Sequence, residues 1–204
     1  MNPADLRWSI ARYPAALIDR VALADGRAVT LRPVLPQDAG LTQAFYRSLS
    51  PSSRYLRFHM GVASLSSAVL RAFTEIDYDG HLALLAEVFD DDDEERQVAD
   101  ARFVRRADAP IADFAVAVAD DWQGVGLGST LIDRMLAAAR RRGIVSLDGE
   151  VLAVNRPMLG LLRGRGFALR TDPQDARLVR ASISTGAAPP DAIGTPADVA
   201  FAGG

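Results

Sequence analysis

The chain has no cysteine, which excludes disulfides, thiolate metal sites and a cysteine nucleophile. It has no lysine either: all 23 basic residues are arginine, so the protein offers no side-chain amine of its own for modification. Histidine is scarce. His59 and His81 are the two present, far apart and without companion ligands, a spacing that gives no metal site. No apolar run is long enough to span a bilayer, and the N-terminus lacks a basic-then-apolar leader, so a cytoplasmic protein with no membrane partner is expected. The formal charge of −3 gives no electrostatic case for nucleic acid.

What is there is an ordinary globular composition, 49% hydrophobic and 24% charged over 204 residues. That length suits one domain with a sizeable core. Residues 1–26, with Trp8 and Tyr13-Pro14, read as a mostly helical or irregular lead-in. Arg27 to Val34 alternates as a strand and is ended by Pro33 and Pro36. Pro36-Gln37-Asp38 opens a helix to about Leu49, closed by Ser50-Pro51. A second helix fits Ser64 or Ser66 to Phe73. His81 to Phe89, Gln97 to Arg105 and Ile111 to Ala119 then read as three consecutive strands. The six acids Asp90 to Glu95 lack the glycine and ligand spacing of a calcium loop, and read as a solvated hairpin tip. From residue 183 the chain is rich in Ala, Gly, Pro, Ser and Thr and reads as a disordered tail, 183–204.

The most informative stretch is Asp121 to Ser129, with Gly124, Gly126 and Gly128 between a small-residue strand and an amphipathic helix, Leu127 to Arg142. Glycines let the backbone approach a ligand, and the first amides of a helix suit phosphate oxygens. The stretch reads as a diphosphate cradle. Asp148 lies at about the distance a dinucleotide site would want, but the glycines follow G-x-G-x-G rather than G-x-G-x-x-G. Five residues also separate strand from first glycine, Ala119 to Gln123, and the motif falls late in the chain, after antiparallel-looking strands. These features count against a dinucleotide fold.

Gln123-Gly124-Val125-Gly126-Leu127-Gly128 resembles the acyl-CoA motif of the GCN5-related N-acetyltransferase (GNAT) family. A second family signature follows: Asn155, Met158, Leu161, Leu162 and Gly166-Phe167. Leu31-Arg32-Pro33, the stretch Leu49 to Phe58, Ile76 to Asp79, and Phe114 to Val118 resemble the acetyltransferase domain of bacterial protein lysine acetyltransferases. The resemblance implies an α/β fold over residues 27–182: a mixed, mostly antiparallel sheet of six or seven strands flanked by helices, with the glycine turn after the fourth strand. The lead-in 1–26 would pack on this domain. Such enzymes commonly carry a synthetase-like or cyclic-nucleotide-binding region, for which a chain of this length is expected to have no room.

The resemblance also implies a chemistry. Acetyl-CoA would be the co-substrate, its pantetheine arm held by backbone groups of Val116, Ala117 and Val118. Its pyrophosphate would sit on the amides of Gln123, Gly124, Val125, Gly126, Leu127, Gly128 and Ser129. Asn155 would touch it from the next helix, or serve as a plain helix cap. The acceptor would be a protein lysine or a small amine, with a CoA-binding module of weak or no catalysis as the third reading. An amine titrating near ~10.4 must lose a proton before it attacks a thioester. The family glutamate before Phe-Ala-Val is here Asp113, one methylene shorter; Glu150 is the second candidate base. The tyrosine that many relatives use to protonate the leaving thiolate is replaced by Leu162. Arg54, Arg57, Tyr55 and Tyr78 could rim the acceptor site or serve packing and surface ion pairs.

Overall fold

The computed structural model describes residues 12–89 and 93–188. Trp8, Asp90 to Asp92 and residues 189–204 lie outside the described residues. Eight strands form one sheet: β1 (Asp19–Ala22), β2 (Ala28–Pro33), β3 (His81–Phe89), β4 (Glu95–Arg105), β5 (Ile111–Val118), β6 (Ser146–Leu152), β7 (Ala168–Thr171) and β8 (Leu178–Ser184). Their order is β1-β2-β3-β4-β5-β6-β8-β7. Every neighbouring pair is antiparallel except β5–β6, which is parallel and needs the crossover helix between them. The helices are α1 (Ala39–Ser48), α2 (Pro51–Phe58), α3 (Ser67–Thr74), α4 (Leu127–Arg141) and α5 (Arg156–Gly164).

The α/β class and mixed sheet agree with the sequence reading, with three corrections. There are eight strands rather than six or seven, so the glycine turn follows the fifth strand and not the fourth. The extra strand is β1, inside the stretch read as helical or irregular. Its four residues include no buried side chain, so hydrophobic alternation could not reveal it. Ser50-Pro51 does not simply close a helix but opens another: Ser50 accepts a hydrogen bond from Ser53 N, and Pro51 takes the first helical position. Finally, β8 runs to Ser184, and Thr185 donates from its amide to Val145 O, so ordered pairing extends past residue 182.

α4 buries Leu127, Leu131, Ile132, Met135, Ala138 and Ala139, the stripe that its periodicity dictates. Glu95, read with the acidic hairpin tip, instead starts β4 and bonds Arg32 Nη2 at 2.7 Å. Arg32 also grips Asp38 and Glu87, tying β2, β3, β4 and the entry to α1 together. Tyr13 donates to Pro33 O and packs edge-on to Tyr78, which holds the described part of the lead-in against β2.

Beneath α1 and α3, β4 carries a buried ion pair that composition gave no hint of. Arg102 Nε meets Asp100 Oδ1 at 2.9 Å and Nη2 meets the other oxygen, while the guanidinium stacks 3.8 Å over Phe73. His81 lies beside this pair. Burial, then the positive charge of Arg102, push its imidazole down to about 4 despite Asp77 and Asp100. The unfolded chain therefore takes up this proton first, and stability is lost as pH falls from about 6.5 to about 4. The loss is expected to reach about 2–3 kcal/mol. Glu87, whose carboxyl burial raises to about 7, works in the opposite direction over part of that window. Urea titrations of wild type and His81→Asn at several pH values isolate the histidine: the difference between the two should shrink as pH falls. A constant difference would assign His81 a packing role only.

Candidate active site

The site begins where β5 and β6 part. They pair at Ile111↔Ser146, Ala112↔Leu147 and Asp113↔Asp148, and no further. Beyond that point β5 stays with β4 as far as Val118, while β6 stays with β8 as far as Leu152. Phe114 to Val118 therefore keep one paired edge and turn the other to a cleft. A side chain props it open. A Cβ on Gly149 would lie 2.7 Å from Phe114 Cε1, so only glycine leaves room for that ring, which rests against Phe167 at 5.2 Å.

At the wide end of the cleft sits the glycine turn. Gly124 (φ +78°) and Gly126 (φ +93°) occupy the left-handed region, with open space where a Cβ would be. Gly128 serves a different end: a Cβ there would meet Leu161 Cδ2 at 3.2 Å, so it permits close packing of α4 on α5. No side chain caps α4 at Gly126, which leaves its first-turn amides, Leu127 to Ser129, with no intrahelical partner. The turn is braced from outside by Arg27, which stacks 3.9 Å over Trp122 and donates to Asp121 O, and by Ala24 N on Val125 O. Gln123 staples it internally, donating from Nε2 to Val118 O at 3.1 Å.

α2 and α5 wall the cleft. Asp120 accepts from Ser50 N, Ser50 Oγ and Ser53 Oγ, which fastens the start of α2 to the turn. Asn155 caps α5 through Oδ1 on Met158 N, so the plain-cap role holds, and the same residue lines the cleft. The larger cavity, about 400 Å³, is bounded by α2, Val116 to Val118, the glycine turn and the first turns of α5. A smaller one, about 180 Å³, adjoins it through Leu56, Arg57, Val116, Asn155 and Met158. Its further lining includes His59, Phe114 and Glu150.

Of the two carboxylates expected at the chemistry, the structure brings one to the cleft. Glu150 lines the smaller cavity. Asp113 lines neither, because it sits at the last paired position, before the strands separate. Its oxygens take Arg106 Nη2 at 2.6 Å and Nε at 3.2 Å, and Arg106 reaches on to Asp148 at 3.3 Å. Asp113 thus helps to pin the junction from which the cleft opens. Val116, Ala117, Val118, Gln123, Gly124, Gly126, Gly128, Ser129 and Asn155 all line the larger cavity; Val125 and Leu127 stand in the same turn, their side chains packed inward.

Sequence reasoning missed α2 as a helix, although Arg57 within it, named there as a candidate for the acceptor rim, lines both cavities. The signal existed, since Ser-Pro is a good N-cap and first-turn pair. It delivers Leu56, Arg57 and His59 to the cavities, whereas Arg54 turns back to Arg47 O and Leu49 O. Tyr55 is exposed and Tyr78 is buried, donating to Val34 O; neither lines a cavity. Among the described residues, no group of acids and histidines could hold a metal ion, and no helix is long and apolar enough to cross a membrane.

A parallel pair that splays beside an uncapped, glycine-led helix is a distinctive arrangement, and the family model of the acetyltransferase (GNAT) family matches residues 45–167. The chain belongs to the GNAT family of acetyltransferases. An acetyltransferase of Pseudomonas aeruginosa is 34% identical over 158 residues, which is 78% of this chain and 84% of that protein. The acetyltransferase Pat of Mycolicibacterium smegmatis is 34% identical over 139 residues, covering 68% of this chain and 40% of that protein. Among solved structures, the GNAT domain of S. lividans PAT superposes with a TM-score of 0.77 at 29% identity, over 84% of this chain and 99% of that one. In this GNAT enzyme the shared elements are the ones that build the cleft: β5, the glycine turn, α4, β6 and α5 all fall within the matched residues.

Proposed function

We propose that this GNAT enzyme transfers an acetyl group from acetyl-CoA directly to an amine, and that the amine belongs to a protein lysine. The splay of β5 from β6 carries this reading. It joins a cavity ending on free helix amides to a second, narrower cavity that holds a carboxylate. The residues suit the co-substrate. The amides of Gly124 to Ser129 would hold the pyrophosphate, the open edge at Val116 to Val118 the pantetheine arm, and the Asn155 amide a neighbouring polar group. When bound, acetyl-CoA supplies the thioester that the amine attacks.

The chain's own residues provide the rest. Leu56, Phe114, Val116, Val151 and Met158 offer an apolar sleeve that fits the aliphatic stem of lysine, and Glu150 gives the ammonium a counter-charge. With no cysteine to carry the acyl group, the commonest ping-pong route is closed, which supports direct attack within a ternary complex. Acetyl-CoA at a hundred times its Kd should stabilise the fold by about 2.7 kcal/mol, read as a rise in Tm. No shift at millimolar acetyl-CoA would sink the proposal. Screening lysine peptides against small amines with radiolabelled acetyl-CoA decides the acceptor, and label confined to small amines would remove the protein substrate. Asp113→Ala should leave kcat within about twofold if the backbone pairing of β5 with β6 suffices to hold the junction, because Asp113 lines neither cavity; a loss of about a hundredfold would restore it as the base, acting through water.

A further inference from the structure

The two histidines play no part in the functional reading so far, yet one of them faces the acceptor cavity. His59 ends α2 in the left-handed conformation, φ 57° and ψ 15°, its amide donating to Tyr55 O at 2.8 Å. Glycine or asparagine is the usual residue for such a cap, because a β-carbon there costs about 1–2 kcal/mol. Glycine does not stand here. His59 lines the smaller cavity, with Glu150 lining the same cavity from β6. Their charges act on one another, and no hydrogen bond engages either side chain among the described residues. Two elements that share no local sequence, a helix end and a strand, thus place an imidazole-bearing residue and a carboxylate-bearing one at a single cavity.

We infer that His59 is the proton acceptor for the incoming amine, with Glu150 as the carboxylate that steadies its charge from the other side of the same cavity. This rests on the reading of the cleft as an acetyltransferase site. The ammonium gives one proton to the free imidazole nitrogen, and its lone pair forms the C–N bond as the thioester C–S bond breaks. The second nitrogen proton leaves with the thiolate, giving free thiol, and imidazolium returns its proton to solvent. Imidazole suits this role because its ordinary titration range lies closest to neutral pH. Burial is the largest influence and lowers the His59 value; Glu150 opposes it by raising the value, and Arg57 adds to the lowering.

With only two histidines in the chain, the ring resonances are simple to assign by NMR. In the ligand-free protein, His59 should titrate below the ordinary imidazole value, and Glu150→Gln should lower it further. His59→Asn and His59→Gly both tolerate the left-handed backbone, so each should fold. Either should reduce kcat by about a hundredfold. The acidic limb of the pH profile should disappear, KM for the amine should move less than threefold, and the acetyl-CoA shift in Tm should persist. Added imidazole should restore part of the rate to His59→Gly. A wild-type pH profile in both variants, or a His59 titration indifferent to Glu150→Gln, overturns the assignment. A wild-type protein that neither binds acetyl-CoA nor acetylates any amine overturns the underlying reading, and His59's role with it.

Discussion

Replacing Arg102 by leucine is expected to destabilise the protein by about 3–5 kcal/mol, lowering Tm by about 10 °C. The magnitude follows from what remains. Asp100 is buried, and burial by itself pushes its carboxyl up; Arg102, with help from Arg57, outweighs this and holds it below the ordinary range. Without the guanidinium the carboxylate keeps its desolvation cost and loses its principal partner. The stacking on Phe73 and the bond to Phe73 O, at 3.2 Å, disappear as well. Asp100→Leu with Arg102→Leu should be much less damaging than Arg102→Leu alone, because an apolar pair leaves no unpaired charge. Urea unfolding of the single and double variants measures the coupling. Equal losses in both would mean that the pair matters only through volume.

Gly126→Val should raise the Kd for acetyl-CoA by at least about a hundredfold and abolish its effect on Tm. Space is not the difficulty, since nothing lies within 4 Å of an added Cβ. The difficulty is φ +93°, which a β-branched residue resists. Relieving that strain turns the amides of the first turn of α4 away from the cleft. Two charge-assisted hydrogen bonds of about 1.5–3 kcal/mol each account for the expected loss. Gly160→Ala is the control, because Gly160 lies within α5 with open space around it. Its exchange should leave binding unchanged and strengthen the helix by up to about 1 kcal/mol. Isothermal titration of both variants distinguishes the two glycines; similar affinities would refute the conformational argument.

Much of the cleft was legible because its parts are local. Glycines at 124 and 126 announce a turn, a capping asparagine announces α5, and an i, i+4 stripe announces α4. β1 escaped notice because its side chains are not buried, and α2 because Ser50-Pro51 can end one helix and begin the next. Asp113 shows a different limit. Its place before Phe114 marks it as a base by resemblance, but one position along a splaying strand separates the paired junction from the open cleft. Sequence spacing does not encode where two strands part.

By itself, the sequence determined the alternation of elements, the acyl-CoA-type turn and the family, since each depends on residues within one or two turns or strands. Only the tertiary structure decided which carboxylate reaches the cavity, that Arg102 and Asp100 bury their charges together, and that His59 and Glu150 line one cavity. Those arrangements join β4 to helices, or α2 to β6, across long stretches of chain. They depend on the angle at which separate elements pack, a quantity set by the whole core rather than by any one segment.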